Sequence, residues 1–199
     1  VSLQAEVSGH AARGAVASLP LSKSTPMVSP VSAHACGIDF GTSNSTVGWL
    51  RPQHTTLLPL EEDKPTLPSV VFFNAEEDVV RFGRAGLQDY LDGYEGRLMR
   101  SLKSLLGSSL IDGVTEVQGR AIRFRDLLTQ FIGTLKERAE AHAGRAFDQS
   151  VFGRPVHFVD DDTVADRLAE TTLGEIARAV GFKEVSFQYE PIAAAFHYE

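Results

Sequence analysis

Residues Cys36 to Phe40 and Ser45 to Leu50 are two short apolar runs separated by Gly41-Thr42-Ser43-Asn44, and this arrangement constrains the fold more than any other feature of the chain. Runs of that length joined by Gly and Asn predict a β-hairpin. What sets this hairpin apart is Asp39, which stands within the first run just ahead of a turn of small, hydroxyl-bearing residues. Gly41 lets backbone approach an anion closely, successive N–H groups of such a turn can converge on it, and Thr42 and Ser43 add hydroxyl donors. Asp39 can hold hydrated magnesium, a hard ion that keeps its waters and takes few protein carboxylates. The same residues also suit a plain hairpin whose loop needs Gly and Asn for left-handed backbone angles. Neither a Walker A sequence nor a dinucleotide GxGxxG occurs, so the two commoner phosphate cradles are missing.

Beyond the hairpin, strands are predicted over Thr55 to Leu60, Ser69 to Phe73, Ser150 to Phe158 and Val185 to Tyr189, with edge strands over Val79 to Phe82 and Ala121 to Phe124. A helix is predicted from about Arg125 to Ala143, because Leu127, Leu128, Phe131, Ile132 and Leu135 recur at helical spacing and Gly144 follows as a C-cap. A second is predicted over Thr163 to Val180, with Val164, Leu168, Ile176 and Val180 on its apolar side and Gly181 at its end. The acidic run Asp160-Asp161-Asp162 suits the positive end of that helix. Pro191 then opens a short Ala-rich helix. Early hairpins followed by strand, helix and strand predict a mixed α/β layer.

Composition narrows the functions. The 199 residues are 43% apolar with a formal net charge of -7, which disfavours nonspecific binding to nucleic acid or to anionic membrane. No stretch is long and apolar enough to span a bilayer as a helix. Cys36 is the single cysteine, so no intrachain disulfide can form, and a reducing, cytoplasmic setting is expected. The six histidines, His10, His34, His54, His142, His157 and His197, show no paired ligand spacing. Residues 1–35, rich in Ala, Ser, Val and Pro, read as a disordered leader. A native start at Met27 would leave Val1 to Pro26 upstream of the protein proper, and a secretory signal cleaved near Ala33-His34-Ala35 is a weaker alternative, since Pro20, Pro26 and Pro30 break its apolar stretch.

Four blocks of the chain, in order, resemble the nucleotide-binding domain of DnaK-type chaperones, the heat shock protein 70 family. Gly37 to Ser45 looks like their first phosphate loop, and Thr66-Leu67-Pro68-Ser69-Val70-Val71-Phe72 like their next characteristic strand. Lys136 to Gly144 looks like the end of a following helix, and Tyr189-Glu190-Pro191-Ile192-Ala193-Ala194-Ala195 like their hinge-side Asn-Glu-Pro-Thr-Ala-Ala-Ala segment. Gly153-Arg154-Pro155-Val156 and Phe187-Gln188-Tyr189-Glu190-Pro191 look closer to the divergent YegD-like branch.

The resemblance implies an actin-like ATPase (ribonuclease H-like) lobe over residues 36–199, with a mixed five-stranded sheet, flanking helices and a smaller subdomain inserted at about 55–123. It implies ATP/ADP and Mg as cofactors. Asp39 would organise the metal through water, Gly41, Thr42, Ser43 and Asn44 would wrap the β- and γ-phosphates, and Thr42 would lie near the transferred group. Lys103, in Leu102-Lys103-Ser104-Leu105-Leu106-Gly107, matches a catalytic lysine, although a solvated helix lysine is its bland alternative. Glu190 would order metal-bound or attacking water, and its alternative is a helix-start charge. Pro155 matches the proline of an allosteric relay, and Arg167 is the nearest partner arginine, displaced from the family's spacing by Asp160-Asp161-Asp162.

In a whole protein of this kind, unfolded clients and co-chaperones would bind outside these residues. The sequence ends where the family runs on to a second phosphate loop, so these residues by themselves are expected to bind ATP weakly and to hydrolyse it little. Three alternatives stay open at this stage: an actin-like filament subunit, a sugar-kinase-like member of the same superfamily, and a nonenzymatic fragment.

Overall fold

The computed structural model describes residues 34–195 apart from Pro52, Thr55 and Gln118, so the expected leader lies, up to residue 33, outside the described residues. Ten strands, four α-helices and one 3₁₀ turn make up the described part. The largest layer is a mixed five-stranded sheet in the order β10-β9-β1-β2-β3, where β1 is Ala35–Phe40, β2 Asn44–Gly48, β3 Thr66–Pro68, β9 Gln149–Arg154 and β10 Glu184–Tyr189. The hairpin partners β1 and β2 are antiparallel, with Asp39 opposite Thr46, while β1, β9 and β10 run parallel. Parallel neighbours need a crossover, and α3 (Thr163–Ala179) supplies the one between β9 and β10.

Alternation drives β1 into this position: Cys36, Ile38 and Phe40 are buried, while Gly37 and Asp39 face the other way. Below the sheet, α2 (Phe124–Ala143) inserts Leu127, Leu128, Phe131, Ile132, Leu135 and Ala139 into the core, and Gly144, left-handed at φ 66°, caps it as expected. Cys36 lies in the same core; burial pushes its thiol up to about 12, with the Glu140 charge adding and Lys136 opposing.

A three-stranded antiparallel sheet, β5-β4-β6, is built from β4 (Val71–Asn74), β5 (Val79–Phe82) and β6 (Gly96–Met99), with α1 (Arg84–Leu91) between β5 and β6. The 3₁₀ turn Leu102–Leu105 follows, then the hairpin of β7 (Val114–Val117) and β8 (Arg120–Arg123). The chain finishes its described course in α4 (Glu190–Ala195). Among the described residues no helix is long and apolar enough to cross a membrane.

Three expectations are corrected. Of the strand predicted over Thr55 to Leu60, residues 56–60 form none: Leu57 bridges Gly48, but over Asn44 to Thr46 the same edge of β2 is taken by β3. The strand predicted over Ser69 to Phe73 begins only at Val71: Val71–Asn74 joins the second sheet, Thr66–Pro68 ahead of it pairs with β2, and Ser69 and Val70 cross between them. In α3, Val164 and Leu168 are exposed, at 69% and 49%, and the buried face is Ala169, Thr172, Leu173, Ile176 and Ala177. Small residues set the phase of this helix, so its large aliphatic residues are a poor guide to the side that packs against α2 and β10.

Candidate functional site

Asp39 is the last outward-facing residue of β1, held in place by buried Ile38 and Phe40 on either side. After it the chain turns through Gly41, Thr42 and Ser43 into β2. Glycine is required at 41 for space: a Cβ there would stand 2.3 Å from the Asn44 carbonyl oxygen. Neither Gly41 nor Asn44 has a positive φ, so the plain-hairpin account through left-handed angles does not hold. The turn is braced from behind by Ser69, which is fully buried. Its hydroxyl donates to the Gly41 carbonyl at 2.7 Å, which leaves the Ser45 hydroxyl to donate to Ser69 Oγ at 2.9 Å, and the Ser69 N–H donates to the Ser43 carbonyl at 2.9 Å. Thr42, Ser43 and Asn44 are exposed, and their side chains make no hydrogen bond to another described residue. A rigid turn thus offers free polar groups outward.

Two residues 87 apart in sequence complete the cluster. Lys103 Nζ donates to Glu190 Oε1 at 2.7 Å, with the lysine side chain 12% exposed and the glutamate 37%. Lys103 sits in the 3₁₀ turn, mostly covered, and is therefore no solvated helix lysine. Glu190, at the start of α4, lies over β9 at Gly153, where a Cβ would come within 3.3 Å of Glu190 Cγ and 3.7 Å of the Ile38 carbonyl. Glycine at 153 leaves the room that the carboxylate fills. Partial burial pushes the Asp39 carboxyl above the ordinary carboxylate range, the negative charge of Glu190 adds to this, and Lys103 opposes it. The structure therefore brings Asp39, Lys103 and Glu190 together beside the Gly41–Asn44 turn.

Pro155 follows the last residue of β9, and the arginine beside it in space is Arg154, not Arg167. Arg167 is exposed and bonds only the Thr163 carbonyl of its own helix, at 3.2 Å. Arg154 is buried and folds back so that Nε donates to the Pro155 carbonyl at 3.1 Å and Nη2 to the Val156 carbonyl at 3.2 Å. Nη2 also reaches Asp166 at 2.9 Å, and Nη1 bonds Glu170. The guanidinium stacks 5.0 Å from the Tyr189 ring and 5.2 Å from Phe158, whose other neighbour is Lys103 Nζ at 5.9 Å. Burial works against the Arg154 charge, but the bonds to Asp166 and Glu170 outweigh it. Burial likewise works against ionised Asp166, yet the Phe158 N–H and Arg154 hold its carboxyl below the usual range. The acidic run ends in a helix cap, since Asp162 Oδ1 accepts from the N–H groups of Val164 and Ala165 at 3.0 and 2.9 Å.

Sequence reasoning missed Ser69 and Arg154. The partner of Ser69 lies 28 residues away, and Arg154, although it adjoins Pro155, finds its partners on α3 and β10.

A family model described as Hsp70 protein matches residues 35–199. The chain is 28% identical over 166 residues to the chaperone protein DnaK of Thermosipho melanesiensis, covering 83% of this chain and 26% of that one. To the chaperone protein DnaK of Thermotoga petrophila it is 29% identical over 163 residues, covering 81% and 25%. The chain belongs to the Hsp70 family. Membership implies the actin-like ATPase fold, with which a mixed sheet flanked by helices agrees. The chain spans about a quarter of the length of the curated relatives it matches.

Proposed function

We propose that residues 36–199 form the first, ribonuclease H-like lobe of an Hsp70-type nucleotide-binding domain, with the smaller sheets inserted at about 55–123, and that this lobe takes the phosphates of Mg-ATP. The observation that carries the reading is the Lys103–Glu190 pair at 2.7 Å, facing a strand-end aspartate beside a braced turn of unpartnered hydroxyls. Asp39 suits hydrated magnesium because its carboxyl, strained by burial and by Glu190, gains from a nearby cation, and this metal binds through one or two carboxylates with waters retained. Bound magnesium would supply charge neutralisation at the phosphate oxygens.

In this reading the amides and hydroxyls of Gly41, Thr42, Ser43 and Asn44 hold the β- and γ-phosphates. Lys103 stabilises charge gathering on the γ-phosphoryl group, and Glu190 accepts a hydrogen bond from the attacking water and orients it. Pro155, with Arg154 rather than Arg167 beside it, would relay the state of Glu190 outward. Chaperone action on unfolded clients, co-chaperone binding, a cytoplasmic location and a place near the YegD-like branch belong to the same proposal. The last rests on Gly153-Arg154-Pro155-Val156 and Phe187 to Pro191.

Lys103→Ala tests the catalytic core of the reading. In a protein carrying the whole nucleotide-binding domain, hydrolysis of ATP should fall by roughly 100-fold or more, the usual cost of one transition-state donor, while Mg-ADP affinity changes little. Unchanged hydrolysis would remove Lys103 from the chemistry.

A further inference from the structure

The Thr42–Asn44 turn also borders a cavity whose lining includes none of Asp39, Lys103 and Glu190. A cavity of about 510 Å³ opens there, lined by Thr42, Ser43 and Asn44 of the turn and by Arg100 and Ser101, with Pro68, Val70 and Leu87 as its apolar wall. Arg100 is the single charged residue of that lining, in a chain whose formal net charge is -7. Its guanidinium is exposed and, among the described residues, pairs with no carboxylate; the Tyr90 ring lies 6.0 Å from its Cζ. Ser101 next to it is left-handed, at φ 54°, a conformation that costs a non-glycine residue free energy and that separates the end of β6 from the 3₁₀ turn carrying Lys103. Residues 100–103 therefore bring two cations to the phosphate turn, and they differ in kind. Lys103 is already compensated by Glu190, whereas Arg100 is open.

Resting on the nucleotide reading above, we infer that Arg100 is a second phosphate-facing cation, which grips the outer oxygens of a terminal phosphate seated on the Thr42–Asn44 turn. A guanidinium suits this task because its forked donors match two phosphate oxygens at once. The apolar wall strengthens the contact by thinning the water around it. The phosphate can come from two sources, the end of a nucleoside triphosphate or free inorganic phosphate. Arg100 then acts in specificity, favouring a ligand with a third phosphate over one with two.

Calorimetry on the whole chain with magnesium and ATP, ADP or inorganic phosphate tests this, using Arg100→Ala and Arg100→Lys. The alanine variant should bind ATP about tenfold or more weakly with ADP within about twofold, and lysine should recover part of the loss. If inorganic phosphate weakens in parallel with ATP, the site also holds free phosphate; if ATP alone weakens, it holds the nucleotide-bound group. Equal ATP affinity in wild type and Arg100→Ala, while Asp39→Asn weakens it, would overturn this inference and leave the nucleotide reading standing. If neither Asp39→Asn nor Lys103→Ala alters ATP binding, or wild type binds no ATP, both fall together. A nearly unchanged melting curve for Arg100→Ala is expected, since the exposed guanidinium pairs with no carboxylate among the described residues and only touches the Tyr90 ring at 6.0 Å.

Discussion

Two clusters of charge lie at neighbouring strand ends of the same sheet, and they are built on opposite principles. At the end of β9, the buried Arg154 is met by Asp166, Glu170, two backbone carbonyls and two aromatic rings, so its donors are used up within the protein. At the end of β1, Asp39 is pushed toward protonation by burial and by Glu190, and the side chains of Thr42, Ser43 and Asn44 have no partner. The first arrangement is closed and holds the fold. The second is left under electrostatic tension that an incoming cation and anion would relieve, as the proposed phosphate site requires. Shifted titration alone does not separate the two, since Asp166 is also displaced from its ordinary value.

The contrast can be broken most forcefully at Arg154. Arg154→Ala strands Asp166 without its cation, and unfolding in denaturant should show a loss of about 3 kcal/mol, the low end for breaking a buried pair because Glu170 is partly exposed. Since the folded pKa of Asp166 is depressed, its contribution is present above the ordinary carboxylate value and is lost as pH falls through the folded one. The wild type should therefore lose stability on acidification below the usual carboxylate range, and Arg154→Ala should lose much less there. An acid limb unchanged in Arg154→Ala would mean that the cluster is not the closed structure described.

A smaller loss tests the brace behind the turn. Ser69→Ala removes the donor to the Gly41 carbonyl and the acceptor of Ser45, and it should cost roughly 1–3 kcal/mol by denaturation for the buried group left unpaired. Because the turn loosens, phosphate affinity should fall with it. A stability loss with phosphate binding intact would show that Ser69 serves the sheet and not the turn.

The smallest effect has the opposite sign. Asp39 has a raised folded pKa, so its contribution to folding is fully present below the ordinary carboxylate value and is lost as pH rises through the raised one. Asp39→Asn escapes that loss. The variant should match wild type near about pH 4 and be the more stable near about pH 7, while binding Mg-ATP more weakly. Equal stability at both pH values would show that the site carries no electrostatic tension.

How much of this was legible beforehand divides along the range of the interactions. The β1–β2 hairpin and α2 were readable because the residues that specify them are neighbours in sequence, and Asp39 with its turn came with the hairpin. The helix α1 and strand β6 were not, since their eight and four residues carry too little pattern to separate them from loop. In α3 the phase was lost because Ala169 and Ala177, too small to register as core, are what the helix buries. Lys103 and Glu190 were named through resemblance alone, as no local pattern links residues 87 apart. Arg154 is not legible for a related reason: its partners lie on α3 and β10, so nothing in the residues flanking it marks the cluster it forms.

Tyr189 and Glu190 are consecutive, yet one lends its ring to Arg154 and the other its carboxylate to Lys103. A single peptide unit at the tip of β10 thus serves as a shared hinge pin. In the proposed reading, a ligand that shifted Glu190 would also displace the ring beside Arg154, linking the two neighbouring strand ends without a loop having to travel between them.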